Sequence, residues 1–599
     1  MDRKTLALVA ALVLLMVGAP YVANRIWPPI PVPPGSTNSV TQIAGSTNLL
    51  QTAAGTNGIA APIPSYDGPE QLVSIENEML RLTFTTHGGG LKTAGLRAYP
   101  AHVPRRDQAS EAAKSKKELA SLNLHAPIAA LAIGPGNLIG DGQFAVAKKG
   151  DAIVSEKQTK DGLAIRYEYR FSTNTYEVEA TMRLENRTGA ALARPSDDWV
   201  VGTASPLDPH DGTDKQGLYW FDGSNAEHIA ATWFGSETSS GCALYKKAPR
   251  PIYSTETTNI VWAAVYNQFF ALLAQPTSPG VGLRALDVPL PKPSMDEYSR
   301  DGSLNANPRG FQTALLYPAQ SLAAGQAVER HFRIYAGPKM YRILKNSDQH
   351  WDKLMDFTGI GGPCAKGLLL ILNGIHSFIP SYGWTILVTT VLIKLIFWPL
   401  TLASTRSMKR MQSLQPQMNA LKEKYKNDQA KQQEKLLQFM RENKINPASG
   451  CLPMLVQFPV FIGFFYMLRT AIELRGESFL WCTDLSQPDT LFVIPQLAFI
   501  PILGVPGLGL PFNLMPLFYI GSALWLSHSQ PISPQMDASQ QKMMRYMPLA
   551  FCTIFYNYSA GLTLYWTVQN LMNILQNKLT RTKNSPPGGA VVIAKPAKA

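Results

Sequence analysis

Cysteine is scarce in this chain of 599 residues. There are five, at 242, 364, 451, 482 and 552, with no CxxC pair. So odd a number, so widely spaced, supports neither a disulfide framework nor a zinc site. Nucleophile and phosphate motifs are missing as well. There is no GxSxG elbow, so HGGG at 87–90, following LRLTFTT, reads as a glycine turn and not as a hydrolase oxyanion loop. DPHDGTD at 208–214 misses the calcium-loop spacing and reads as a surface loop. No Walker P-loop is present, so no P-loop ATPase is implied. The shortage that matters most is of acid. Five apolar runs, about 383–403, 453–472, 512–528, 545–558 and 560–577, contain neither Asp nor Glu.

What is there divides in two. Residues 24–350 read as a soluble region, while 367–577 hold most of the long apolar runs. The formal net charge is +13. In a membrane protein such an excess marks cytoplasmic faces, or a nucleic-acid or ribosome contact. The N-terminus has two basic residues and then an apolar run from Leu6 to about Ala19, with low polarity to Ala23. A cleaved signal peptide and an uncleaved anchor both fit, and either exports the chain downstream of it. Residues 28–68 are rich in Pro, Gly, Ser, Thr and Asn and read as a flexible linker. Strand signals then recur from about 70 to 338. In YEVEATMRLENRTG, Val178, Ala180, Met182 and Leu184 alternate with polar residues, the period of a strand with one wet face. GLAIRYEYRF and AVERHFRIYAGP are similar, and the region is expected to form a large antiparallel sandwich.

The apolar half begins with GLLLILNGIHSFIPSYG, too short to span and long enough for an interfacial helix. The five runs above are expected spans, and the N-terminal segment would make six. Orientation follows from the loops. Residues 402–452 carry ten Lys or Arg against four Asp or Glu, and the tail after 577 is basic with no acid. Loop 473–511 has Arg475 against Glu473, Glu477, Asp484 and Asp489. The positive-inside rule puts 402–452 and the tail in the cytoplasm and the β region outside. The cytoplasmic loop has a 3-4-3-4 seam, Met411, Leu414, Met418, Leu421 and Tyr425, then a turn at Asn427-Asp428 and an apolar face of Leu436, Leu437 and Met440. This predicts an antiparallel helical hairpin over 404–446, kinked at Pro416. It serves either as a structural cover for its own seam or as a contact surface through its Lys and Gln.

Lys394 sits at the centre of TTVLIKLIFWPLT. A lysine there costs at least ~2.5–3.5 kcal/mol on insertion scales. It lies about ten residues, some 15 Å, from either end, beyond the reach of snorkelling. With no intramembrane acid to pair it, water remains. Polar residues collect at matching depth: Thr390 one turn earlier, Gln457, Ser522, and the stripe Trp566, Gln569, Asn570, Asn573 and Asn577. The stripe reads either as interhelical hydrogen bonding or as the wall of a wet cavity open to the cytoplasm. Three functions suit such a cavity: a pore or secondary transporter, an embedded enzyme, or a groove that binds polypeptide. The spans have no acids or inverted repeats for coupled transport, and no nucleophile–base pair, metal cluster or phosphate loop for catalysis.

Several long collinear segments resemble the YidC membrane protein insertase family. They are IHSFIPSYGW, TTVLIKLIFWPLT, MKRMQSLQPQMNALKEKY, INPASGCLPMLVQFPVFIGFFYMLRTAIELR, QQKMMRYMP and SAGLTLYWTVQNLMNILQ, with LVSIENEMLRLTFTTHGGGLKTAGLRAYP at the start of the β region. The resemblance implies a polytopic α-helical membrane protein. It would have six transmembrane helices with a five-helix insertase core, plus a large antiparallel β-supersandwich in the periplasm. The implied order is an anchor at 1–27, the linker, the β domain at 69–345, a connecting segment with the interfacial helix at 346–382, the core at 383–580 and a basic tail at 581–599. The family's groove cation is most often arginine; Lys394 stands there and keeps the charge without the bidentate fork. Substrate-contacting positions fall on Thr390, Phe458, Phe461, Ile554 and Trp566, the last where the family often has tyrosine. Gln457, Ser522 and Asn570 complete the expected groove. The implied location is the bacterial inner membrane with both termini cytoplasmic. The implied partners are nascent membrane proteins, the SecYEG translocon with its accessory proteins, the lipid bilayer, and a ribosome or targeting receptor at the hairpin and tail. No catalytic residue, cofactor, metal or specific nucleic acid is implied. The stretch 495–511 is longer than usual for the family and has no assigned role.

Overall fold

The structure, a computed structural model, describes residue 66 and residues 68–579 apart from 104–117, 135–141, 173–174, 195, 208–210, 212–214, 236–249, 295–304, 306, 358, 360, 444–451, 498–499, 501–502, 505–508, 530–545, 548 and 550–554. The expected anchor, the basic tail, nearly all of the linker, the greater part of the DPHDGTD loop and half of the 545–558 span lie outside the described residues. The chain forms two compact units. One comprises described residues of 363–465 and 514–579, the other those of 66–362 and 466–513.

The second unit is built from antiparallel sheets. The largest has nine strands in the order Ala226–Ala230, Gly217–Phe221, Trp262–Tyr266, Phe270–Pro276, Ala327–Pro338, Glu177–Asn186, Leu163–Phe171, Ala152–Gln158, Ala145–Lys149. The strand Glu177–Asn186 buries Val178, Ala180, Met182 and Leu184 and turns its charged residues outward, as its alternation predicts. A five-stranded sheet, Ile252–Ile260, Gly280–Pro289, Arg309–Tyr317, Asp197–Ala204, Ala132–Ile133, packs on the nine-stranded one. Gly202 marks the contact: a Cβ there would lie 2.7 Å from Leu272, so only glycine allows the two sheets this close. Trp199 stacks on Phe332 at 4.2 Å across the same interface, which gives the sandwich an aromatic core. A four-stranded sheet, Leu72–Glu76, Leu80–Thr85, Leu91–Pro100, Leu119–Leu122, joins through Phe84 against Tyr169. HGGG is the turn between two of its strands; Gly88 and Gly89 have φ of 80° and 70°, where a side chain is strained.

Segment 466–513 lies between two apolar runs in sequence yet packs with the β sheets. Arg475 donates to the carbonyls of Pro100 and Ala101 at 2.8 and 2.9 Å, and Gln268 donates to the carbonyl of Arg469. Among the charges buried inside this unit is a lysine. Lys339 is buried over the ring of Tyr266, with Asp356 near it, and burial pushes its ammonium down to about 7.

The first unit is helical. Helices α1 (Gly362–His376), α2 (Tyr382–Ser413), α3 (Gln415–Lys424), α4 (Gln429–Glu442), α5 (Leu452–Thr470), α6 (Leu514–Ser529) and α7 (Ala560–Leu579) follow in order. Helix α1, expected as interfacial, starts five residues before the apolar run, because Gly362–Lys366 complete its first turn. The span expected at 383–403 does not stop there. It continues through Pro399 to Ser413 as one helix, and the chain breaks at Leu414. The kink expected at Pro416 is thus a helix start, where proline's fixed φ is welcome. Helix α4 is capped by Asp428, which accepts from the Lys431 amide at 3.0 Å. Met411, Met418, Leu436 and Met440 form the hairpin core, with Leu414 and Phe439 against it. Leu437, expected on that face, is exposed; one residue along a helix turns it ~100° from Leu436. Among the described residues one helix is long and apolar enough to cross a membrane by composition, over Tyr382–Ser407.

Candidate functional site

Helix α2 is inside-out for a protein in water. Trp384, Leu392, Leu395 and Ile396 are exposed, while Thr385, Thr389, Thr390, Lys394, Thr401 and Ser404 are buried. Helical spacing explains the split: Thr390, Lys394 and Thr401 lie at i, i+4 and i+11, on one face. Against that face lies α7, whose polar stripe supplies the partners. Lys394 Nζ donates to Asn573 Oδ1 at 2.5 Å. Gln576 Nε2 donates to Thr401 Oγ1 at 2.5 Å and to the Trp398 carbonyl at 3.4 Å. On the other side of α7, Asn570 Nδ2 donates to Ser522 Oγ of α6 at 3.1 Å, and Ser522 donates onward to the Tyr519 carbonyl.

Lys394 is 2% exposed. Water is therefore not its sole companion, as elimination from the sequence would have it. The companion passed over is a neutral amide, Asn573, a member of the same stripe. The interhelical reading of the stripe holds for Asn570 and Asn573. Gln576 was missed; its position three residues after Asn573, on the same face, was the available signal. An ammonium has three donors, and Asn573 is the one acceptor it meets among the described residues. The charge is held in place without being neutralised.

The other expected residues scatter around this centre. Trp566 is buried, its ring beside Phe461 at 5.7 Å, Tyr519 at 5.4 Å and Phe555 at 4.4 Å. Its indole N–H has no acceptor among the described residues, nor has the buried Thr389 hydroxyl a partner. Thr390 spends its hydroxyl within its own helix, on the Ile386 carbonyl at 2.7 Å. Gln457 hydrogen-bonds Tyr565. Phe458 is 53% exposed. Ile554 lies outside the described residues.

The contacts also fix helix directions. Lys394 and Thr401 meet Asn573 and Gln576 in ascending order, so α2 and α7 run parallel. Tyr519 and Ser522 meet Trp566 and Asn570 in ascending order, so α6 is parallel as well. Phe461 and Phe465 meet Trp566 and Tyr558 in descending order, so α5 runs against them.

Likeness to known proteins falls on both units. Residues 374–586 match the family described as 60Kd inner membrane protein, and residues 72–360 the family described as YidC periplasmic domain. The membrane protein insertase YidC of Geobacter sp. (strain M21) is 30% identical over 512 residues, 84% of each chain. That of Chlorobaculum tepidum is 30% identical over 530 residues, 85% of this chain and 81% of its own. That of Pelobacter propionicus is 29% identical over 597 residues, 96% and 98% of the two. A crystal structure of an active YidC insertase with its first transmembrane domain resolved aligns over 86% of this chain and 93% of its own. Its 18% identity and TM-score of 0.33 are too low to add to the fold described above. Helical unit and β unit together define an inner-membrane protein carrying a periplasmic β domain, in the class of membrane protein insertases. The chain belongs to the YidC membrane protein insertase family.

Proposed function

We propose that this insertase receives nascent transmembrane segments against the polar face shared by α2, α6 and α7 and releases them into the bilayer. The observation that carries this reading is Lys394: a buried cation on a single neutral acceptor, in spans without acid. Such a charge attracts the acidic flank of an incoming helix, while the partly exposed Phe461 offers apolar surface to the helix itself. The donors left over at Trp566 and Thr389 suit a polar segment in passage. Release into lipid runs downhill at ~0.8 kcal/mol per buried CH₂ and needs no nucleotide.

The parallel course of α2, α6 and α7 supports a core with the 402–452 loop and the tail on one face, the cytoplasmic one by their positive charge. A chain leaving α6 at Ser529 and re-entering α7 at Ala560 from the opposite face must cross back between them, and 545–558 is the apolar run available. With the first segment as an uncleaved anchor, the count is six spans with both termini cytoplasmic. The hairpin and basic tail are the candidate contacts for a ribosome or targeting receptor, and the Sec translocon the candidate partner within the membrane. Domain limits follow the sequence: anchor 1–27, linker 28–68, β domain 69–345, connecting segment 346–382, core 383–580, tail 581–599. A secondary transporter or channel with a hydrated cavity around Lys394 is the competing reading.

Photocrosslinkers at 394, 461 and 566, with one at outward-facing Leu571, separate the two. A stalled nascent chain carrying one transmembrane segment is expected to crosslink to the first three and not to Leu571. Absence of nascent-chain crosslinks at all three positions favours the transporter.

A further inference from the structure

The segment between α5 and α6 ends in a feature that insertion does not explain. Strands Thr490–Ile494 and Leu510–Asn513 pair only with each other among the described residues, as a two-stranded ribbon. Such ribbons are marginal in water unless an apolar face is covered. This one has an apolar face. Phe492 pairs with Phe512 and Ile494 with Leu510, and the two phenylalanine rings stack at 4.8 Å. Phe492 is nonetheless 48% exposed. The opposite end is tied by Thr490 Oγ1 donating to Asn513 Oδ1 at 2.7 Å, so the ribbon is held in shape with Phe492 exposed and Phe512 half-buried. Exposed ribbons normally carry charge, lysine above all, to keep other chains away. Here no charged side chain occurs between Asp489 and His528.

Chain continuity says what covers it. The ribbon ends at Asn513 and α6 begins at Leu514, with no linker. Helix α6 presents Leu517 and Phe518 outward within its first turns, as a lipid-facing helix does. Four strand residues reach at most ~13 Å, so the ribbon stays beside the point where α6 enters the bilayer. A second apolar tip lies in the same segment. Leu480 is 68% exposed with φ 56°, in a tight turn closed by the Phe479 and Cys482 backbone. A left-handed leucine costs on the order of 1–3 kcal/mol, and a turn in water would hold Gly or Asn at that position. Trp481 beside it, its indole N–H on Asp489 at 2.8 Å, is the residue type that settles at headgroup level.

We propose that the paired strands Thr490–Ile494 and Leu510–Asn513 are an interfacial lipid anchor, with Phe492 and Phe512 dipping into the headgroup–acyl boundary of the extracytoplasmic leaflet. The same segment holds the β sheets through Arg475. The occupant is the bilayer surface; an apolar face of another protein is the alternative that the experiment excludes.

The test uses the full chain with its five cysteines replaced and single cysteines at 492, 518 or 149, each labelled with an environment-sensitive nitrobenzoxadiazole dye. The proteins are reconstituted in phosphatidylethanolamine–phosphatidylglycerol vesicles containing nitroxide-labelled lipids. The dye at 518 reports on α6 as a span independently of the anchor. The dye at 492 is expected to shift to the blue and to be quenched most by shallow nitroxides, and the dye at 149 to do neither. If 492 behaves like 149 while 518 is quenched, the anchor is wrong and the span stands. A blue shift at 492 without quenching by any lipid nitroxide means a protein covers the ribbon, and also overturns the proposal.

Discussion

Replacing Asn573 by Asp tests whether the charge of Lys394 matters, or only the space it occupies. The two side chains have nearly the same shape, so the 2.5 Å contact to Lys394 Nζ survives and helix packing changes little. What changes is the charge on the acceptor. Two unit charges ~3 Å apart attract by ~5 kcal/mol at an effective dielectric of ~20, part of it offset by desolvating the new carboxylate. The ammonium then has a permanent counter-ion and little left for a substrate acid. A charge-assisted hydrogen bond nets about 1.5–3 kcal/mol, so occupancy by an acidic flank falls about ten- to a hundredfold. The assay is insertion into proteoliposomes of single-span substrates with acidic or neutral translocated ends, scored by protease protection. Asn573→Asp is expected to impair the acidic substrate selectively and Asn573→Ser to spare both. Wild-type insertion of the acidic substrate by Asn573→Asp would refute an electrostatic role for Lys394.

Three further outcomes rest on named contacts. Lys394→Glu is expected to impair substrates with acidic translocated ends at least tenfold more than Lys394→Arg in the same assay, since Arg keeps the charge. Lys339, with its ammonium pushed down to about 7, binds fewer protons folded than unfolded above that pH. Its contribution to stability should therefore rise from about pH 7 to about pH 10, by up to ~1.4 kcal/mol per pH unit, and be flat below about pH 7, where both states are protonated. Thermal unfolding of the full chain in detergent reads this, and Lys339→Met is expected to flatten it. Met418, fully buried in the hairpin core, should cost ~2–5 kcal/mol when cut to Ala; hydrogen exchange across Gln415–Lys424 is expected to accelerate.

Much of this was legible in the sequence because it rests on short-range patterns. Alternation marked Glu177–Asn186, and Lys394 stood out because nothing near it in lipid was charged. The glycine turn at 87–90 was legible because three glycines follow the strand pattern LRLTFTT with no nucleophile elbow in the chain. What escaped required knowledge of which faces meet. Asn573 sits in the visible stripe, yet only the parallel packing of α2 on α7 brings it to Lys394. Thr390 looked free, but a threonine in a helix bonds its own backbone when no better partner is near. Leu437 shows the limit of reading apolar pairs without a helix phase. Phe458 shares a helix face with Phe461 yet is exposed, which the sequence does not signal. Segment 466–513 was grouped by chain order with the spans around it, whereas its packing through Arg475 joins it to the β sheets.

The unbroken course of α2 has a mechanical consequence. Its 32 residues make a rod ~48 Å long, with Lys394 partway along and the hairpin at its far end. Pro399 lies five residues beyond the lysine and cannot donate to the carbonyl of Leu395, which leaves a soft point in the rod. A helix softened at one point bends there more readily than elsewhere, so the stretch that carries Lys394 and the stretch that leads into the hairpin behave as two stiff arms on one joint.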